Sequence, residues 1–130
     1  MQINYKGKQL ELSFGFRFIN TIDRINGTRM EQDGQNLNFG SGLESFVPML
    51  QTGSPVLVGR AILAATQHHK KAPTMDDLDE ILNDIAENVG LQEFADEIIE
   101  ELGKQPMTRK IVSRAVEDEL ETKKAKKEKK

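Results

Sequence analysis

Residues 43–66, LESFVPMLQTGSPVLVGRAILAAT, constrain the fold more than any other part of the chain. Only Glu44 and Arg60 carry charge in this stretch, although 30% of the chain as a whole is charged. A segment this apolar has to be covered, either by the rest of the chain, by other copies or by a partner. Gly53, Ser54, Pro55 and Arg60 interrupt it, so it falls short of the roughly 20 apolar residues that a membrane-spanning helix needs. Two short helices joined by QTGSP satisfy its pattern. Leu43, Phe46, Val47 and Leu50 follow at i, i+3, i+4 and i+7, one helical stripe. Ser41 and Glu44 have the spacing of a capping box, and Pro48 is expected to kink or shorten this first helix. Ser54 and Pro55 supply an N-cap and a first helical residue for the second. From Val56 to Thr66 the apolar residues run almost all the way round, which marks a helix buried on more than one side.

The rest of the chain is sized to provide some of that cover. At 130 residues a compact fold buries about two-thirds of the surface its unfolded form exposes. The opening predicts a β-hairpin over 1–14: Ile3 and Tyr5 alternate with polar residues, Lys6-Gly7 can turn, and Leu10, Leu12 and Phe14 alternate again. The period then becomes helical, with Phe18, Ile19, Ile22 and Ile25 on one face and Asn26-Gly27 as the stop. Residues 28–40 are polar. Asp33-Gly34 suits the turn of a second hairpin carrying Leu37 and Phe39 on one face, and an excursive loop fits equally.

Beyond Pro73-Thr74 an amphipathic helix carries Leu78, Ile81, Leu82, Ile85 and Val89, with Asp76, Asp77 and Asp79 in its first turn, where the helix dipole favours negative charge. Gly90 ends it. Leu91, Phe94, Ala95, Ile98 and Leu102 make the next stripe, with Gly103 as its expected stop. After Pro106 a last helix carries Ile111, Val112, Ala115, Val116 and Leu120. The fold class is therefore α+β: an N-terminal hairpin followed by a predominantly helical domain of five or six short helices. The expected organisation is one domain over 1–120, made of the hairpin (1–14), the apolar helical hairpin (41–67) and the acidic amphipathic helices (74–120). A Lys-rich, disordered tail is expected over 121–130.

Charge is segregated. Residues 74–101 hold eleven Asp or Glu and no Lys or Arg, whereas KKAKKEKK at 123–130 holds six Lys. The chain has no cysteine, which excludes disulfides and thiolate chemistry. Its start, MQINYKGKQLEL, lacks the apolar run of a signal peptide, so a soluble cytoplasmic protein is expected. His68 and His69 are adjacent, and helical neighbours point about 100° apart, so they read as a solvated helix end and not as a chelating pair. The acids lie opposite the apolar stripes, as solvated positions do, and no calcium-loop pattern accompanies them. No phosphate-cradling glycine loop or hydrolase elbow is present. The residues therefore predict no catalytic site, no metal and no cofactor. Six lysines at the C-terminus would attract nucleic acid without sequence preference, which keeps a small helical regulator as the alternative. The acidic 74–101 region and the scarcity of aromatics oppose it.

The apolar segment is left as the candidate site. Leu43, Phe46, Leu50, Leu57 and Ile62 read first as core, and Met49, Val56, Val58 and Leu63 as the surplus. The candidate partner or oligomer interface is drawn from Phe46, Val47, Met49, Leu50, Val56, Val58, Ile62 and Leu63.

The order of these segments resembles the tail assembly chaperones of long-tailed, siphovirus-type phages of Gram-positive bacteria. The likeness runs over about residues 1–110, through INYKGKQLELSFGFRFINTIDR, FGSGLESFVPMLQTGSPVLVGRAILAAT, KKAPTMDDLDEILND and LQEFADEIIEELGKQPMTRK. The resemblance implies a non-enzymatic assembly factor that binds and solubilises the tape measure protein. It also implies self-association, action in the host cytoplasm and absence from the finished virion. Many such genes also make a longer product by frameshifting, which would link the chaperone to tail tube subunits. Lys123-Lys124, Lys126-Lys127 and Lys129-Lys130 fit codons on which ribosomes slip.

Overall fold

The structure, a computed structural model, describes residues 1–26, 29–32, 35–38 and 42–116. Its first element is the expected hairpin. Strands β1 (Gln2–Tyr5) and β2 (Lys8–Glu11) pair antiparallel, with Ile3 opposite Leu10 and Tyr5 opposite Lys8. The two turn residues, Lys6 and Gly7, both have positive φ, 49° and 75°. That is the primed turn whose twist matches paired strands, and it fixes the register. Ile3 and Leu12 face inward, and Ser13 N–H donates to the Ala65 carbonyl (2.9 Å), tying the hairpin to the helical layer.

Helix α1 (Phe16–Asn26) buries Phe18 and Ile22, and Phe18 meets Phe14 edge-on with ring centroids 5.0 Å apart. Ile25, expected on the same face, is instead half exposed in the last turn. Of the two readings for 28–40, the hairpin holds: β3 (Arg29–Gln32) and β4 (Gln35–Asn38) pair antiparallel with Gln32 opposite Gln35. Gly27, the Asp33-Gly34 turn and Phe39 lie outside the described residues.

The apolar segment forms α2 (Gly42–Leu50) and α3 (Pro55–Thr66). Pro48 has no N–H to bond Glu44, and α2 ends two residues later. Ser54 occupies the N-cap of α3 without a side-chain cap bond, and Pro55 opens the helix. Ser41 lies outside the described residues, so the expected capping box does too. The described cap of α2 comes from another helix: Asp23 Oδ1 accepts from Gly42 N–H at 2.9 Å. Glu44 faces Arg114, 3.8 Å away.

A short 3₁₀ turn (Met75–Asp77) leads into α4 (Leu78–Asn88), and α5 (Leu91–Lys104) follows. Gly90 N–H donates to the Ile85 carbonyl and closes α4. Gly103 does not stop α5, which runs one residue further. Gln105 then turns extended (φ −83°, ψ 136°), the conformation forced on a residue before proline. Helix α6 covers 109–116, and Val112 and Ala115 are its buried residues. Thr108, fully buried, donates its hydroxyl to the Leu102 carbonyl.

These elements share one core. It runs from Ile3, Leu12 and Phe14 through Phe18, Phe46, Val47 and Ile62 to Ile85, Ile98, Leu102 and Val112. The architecture is α+β, with a hairpin leading into six short helices among the described residues.

Candidate functional site

The α2–α3 hairpin sits at the centre of the molecule, packed against α1, α4 and α5. That placement divides the eight candidate interface residues. Phe46, Val47, Leu50, Val58 and Ile62 are at most 1% exposed; the chain's own fold already covers them. Met49 (38% exposed) and Val56 (61%) stay open to solvent, and Leu63 is partly covered. On α3, Val56, Arg60 and Leu63 follow at i, i+4 and i+7, so the uncovered line is apolar with one cation in its middle. The end of this hairpin is held by α5, since Gln92 Nε2 donates to the Gln51 carbonyl at 2.7 Å.

Ile25 and Val89, read on apolar stripes, stand about half exposed at the ends of α1 and α4, and three further exposed apolar side chains carried no periodic signal. Phe16, Met75 and Met107 stand 57–76% exposed at helix starts and turns, where an apolar residue breaks a stripe and does not extend it.

The charged residues show two arrangements. One is local to Asp77. Its Oδ2 accepts from Thr74 N–H (2.8 Å), from the Thr74 hydroxyl (3.1 Å) and from the Tyr5 hydroxyl (2.9 Å). The Thr74 amide, then the Tyr5 hydroxyl, hold the Asp77 carboxyl below its ordinary value of 3.8. This carboxylate therefore caps the turn before α4 and fastens the hairpin tip to it.

The second arrangement is a groove of about 330 Å³ where the hairpin tip meets the segment after α3. Tyr5, Lys6, Lys8, Leu10, Lys70 and Lys71 line it. Neighbouring His69 is a strut, its Nε2 lying 2.8 Å from the Glu11 carbonyl. The His68 ring lies 4.0 Å from that of His69. Partial burial, then the charges of His69 and Arg17, lower the pKa of His68. Among the described residues no three His, Cys, Asp or Glu side chains converge as a metal ion would require. No helix there is long and apolar enough to cross a membrane. The Lys-rich segment 121–130 lies outside the described residues.

What this surface offers is contact area: an apolar line on α3, exposed Met49 on α2 of the same hairpin, and faces of opposite charge. Residues 2–117 match the family described as phage tail assembly chaperone protein, TAC. The chain belongs to that family. No curated protein and no solved structure matches it.

Proposed function

We propose that this chain binds and solubilises the tape measure protein during tail morphogenesis and helps recruit tail tube subunits, without catalysis and without a cofactor. In this reading it self-associates, works in the host cytoplasm of a siphovirus-type phage of Gram-positive bacteria, and is absent from the mature virion. Contact with the tail tube protein runs through a frameshifted longer product.

The observation that carries the reading is the family membership over 2–117, and the α2–α3 hairpin supplies a surface for it. Its line Val56, Arg60, Leu63, together with Met49, suits the apolar face of a long helix laid against it. Individual contacts of this size are weak, and many copies on one long ligand strengthen one another through effective concentration. The acidic outer faces of α4 and α5 keep the free chaperone soluble.

Co-expression with the tape measure polypeptide of the same genome tests this. The expected outcome is a soluble tape measure that co-purifies with many copies of this chain. A tape measure that stays insoluble and alone overturns the proposal.

A further inference from the structure

Among the described residues the lysines of the groove have no carboxylate partner, and three of four acids along one face of α5 have no ion pair. Lys6, Lys8, Lys70 and Lys71 surround an apolar floor made by Leu10, the Tyr5 ring and the lysine stems. Among the described residues none of these four ammonium groups has a carboxylate within 4.0 Å. On the other side of the charge balance, Glu93, Asp96, Glu97 and Glu100 stand exposed at i, i+3, i+4 and i+7 of α5. They form one stripe about 10 Å long, opposite the buried Phe94, Ala95, Ile98 and Leu102. Among the described residues, Glu100 is the one of these four with an ion-pair partner, Lys104. Ile99 lies partly exposed at one edge of the stripe, while Leu91 packs against the core on the opposite face.

We infer that the groove receives the acidic α5 stripe of a second copy of this chain. The match is one of sign and character: four lysines around an apolar floor meet four carboxylates with the aliphatic Ile99 at their edge. The acids of α4 are not the counterpart, because Glu80, Asp84 and Glu87 already line the cleft beside their own hairpin tip with Lys6. Nucleic acid fits the groove poorly. Tyr5 has its hydroxyl on Asp77 and Lys6 5.2 Å above one face of its ring, and the His69 ring beside it is held on the Glu11 carbonyl, so neither ring is a free stacking platform.

Each copy presents a groove at one place and a stripe at another, so two copies can pair reciprocally or the contact can repeat from copy to copy. The inference rests on the self-association in the proposed function and is independent of tape measure binding.

Sedimentation velocity on the full chain over a range of concentrations, at about 50 mM and about 500 mM salt, provides the test. Screening at the higher salt shortens the range of exposed charges to a few ångströms, so association is expected to weaken at least about tenfold. Two charge-reversed proteins sharpen it: Lys8→Glu with Lys70→Glu, and Glu97→Lys with Glu100→Lys. Each alone is expected to keep the folded circular-dichroism spectrum and lose association. Mixed one to one, they are expected to associate again, because the second protein keeps the wild-type groove and the first the wild-type stripe. A wild-type chain that is monomeric throughout overturns the inference. So does association that ignores salt and both reversals, which places the interface elsewhere and leaves the chaperone reading intact. Failure of the mixture to associate, or groove reversals that abolish DNA binding while association persists, overturns it as well.

Discussion

Asp77 shows how much of this fold can depend on one half-buried carboxylate. Three donors reach a single oxygen of it, two from Thr74 and one from Tyr5 at the hairpin tip. These bonds favour the ionised form, so the folded pKa lies below the ordinary 3.8. Between those two values the unfolded chain binds more protons than the folded one, and stability rises with pH. The stabilisation is therefore complete above 3.8 and is lost as the pH falls through the lower, folded value. Asp77→Asn should lower the melting temperature at pH 7, and its gap to wild type should close as the pH is taken below 3.8. A gap that persists unchanged in acid would mean that the carboxylate charge is not what holds the turn.

At the scale of elements, the joint between α1 and α2 is the tightest. A Cβ on Gly42 would sit 2.5 Å from the Asp23 Cα, a backbone atom that cannot swing aside. The same Asp23 caps α2 through Gly42 N–H, so close approach and capping come from one contact. Gly42→Ala should destabilise the protein by about 1–3 kcal/mol, the usual cost of overpacking a close contact, measured by urea denaturation. A change below about 0.5 kcal/mol would show that the helices can part without loss. This joint was not legible in the sequence, because a cap supplied from 19 residues upstream leaves no local spacing to read. What was legible followed local rules. The Lys6-Gly7 turn, the stripe Leu43, Phe46, Val47, Leu50 and the stripe Phe94, Ala95, Ile98, Leu102 each carry their period within one element. Periodicity failed where an element ends: Ile25 continues the pattern of Phe18 and Ile22 yet stands half exposed, and Gly103 is carried inside α5 until Pro106 dictates the stop. The candidate interface was only half readable for a related reason. An all-round apolar helix announces burial, but which of its sides is covered depends on how α1, α4 and α5 dock around it.

In the whole molecule that docking separates two sets of residues within one apolar hairpin. The inner residues, Phe46 and Ile62 among them, join the hairpin to the shared core, while Met49 and Val56 remain outside. The two sets should respond to charge in opposite ways. A buried, unpaired carboxylate has no compensating partner in this core, so Phe46→Glu with Ile62→Glu should abolish the cooperative unfolding transition. Met49→Glu with Val56→Glu places charge in water and should leave that transition within about 1 kcal/mol of wild type. If the outer face is where a long helical ligand lies, the second double variant should stay folded and yet no longer keep the co-expressed tape measure protein soluble. A folded variant that solubilises it as well as wild type does would move the binding surface away from the α2–α3 hairpin. Phe16, Ile25, Met75, Val89 and Met107 would then be the next to test, since among the described residues they are the other large apolar side chains left in water.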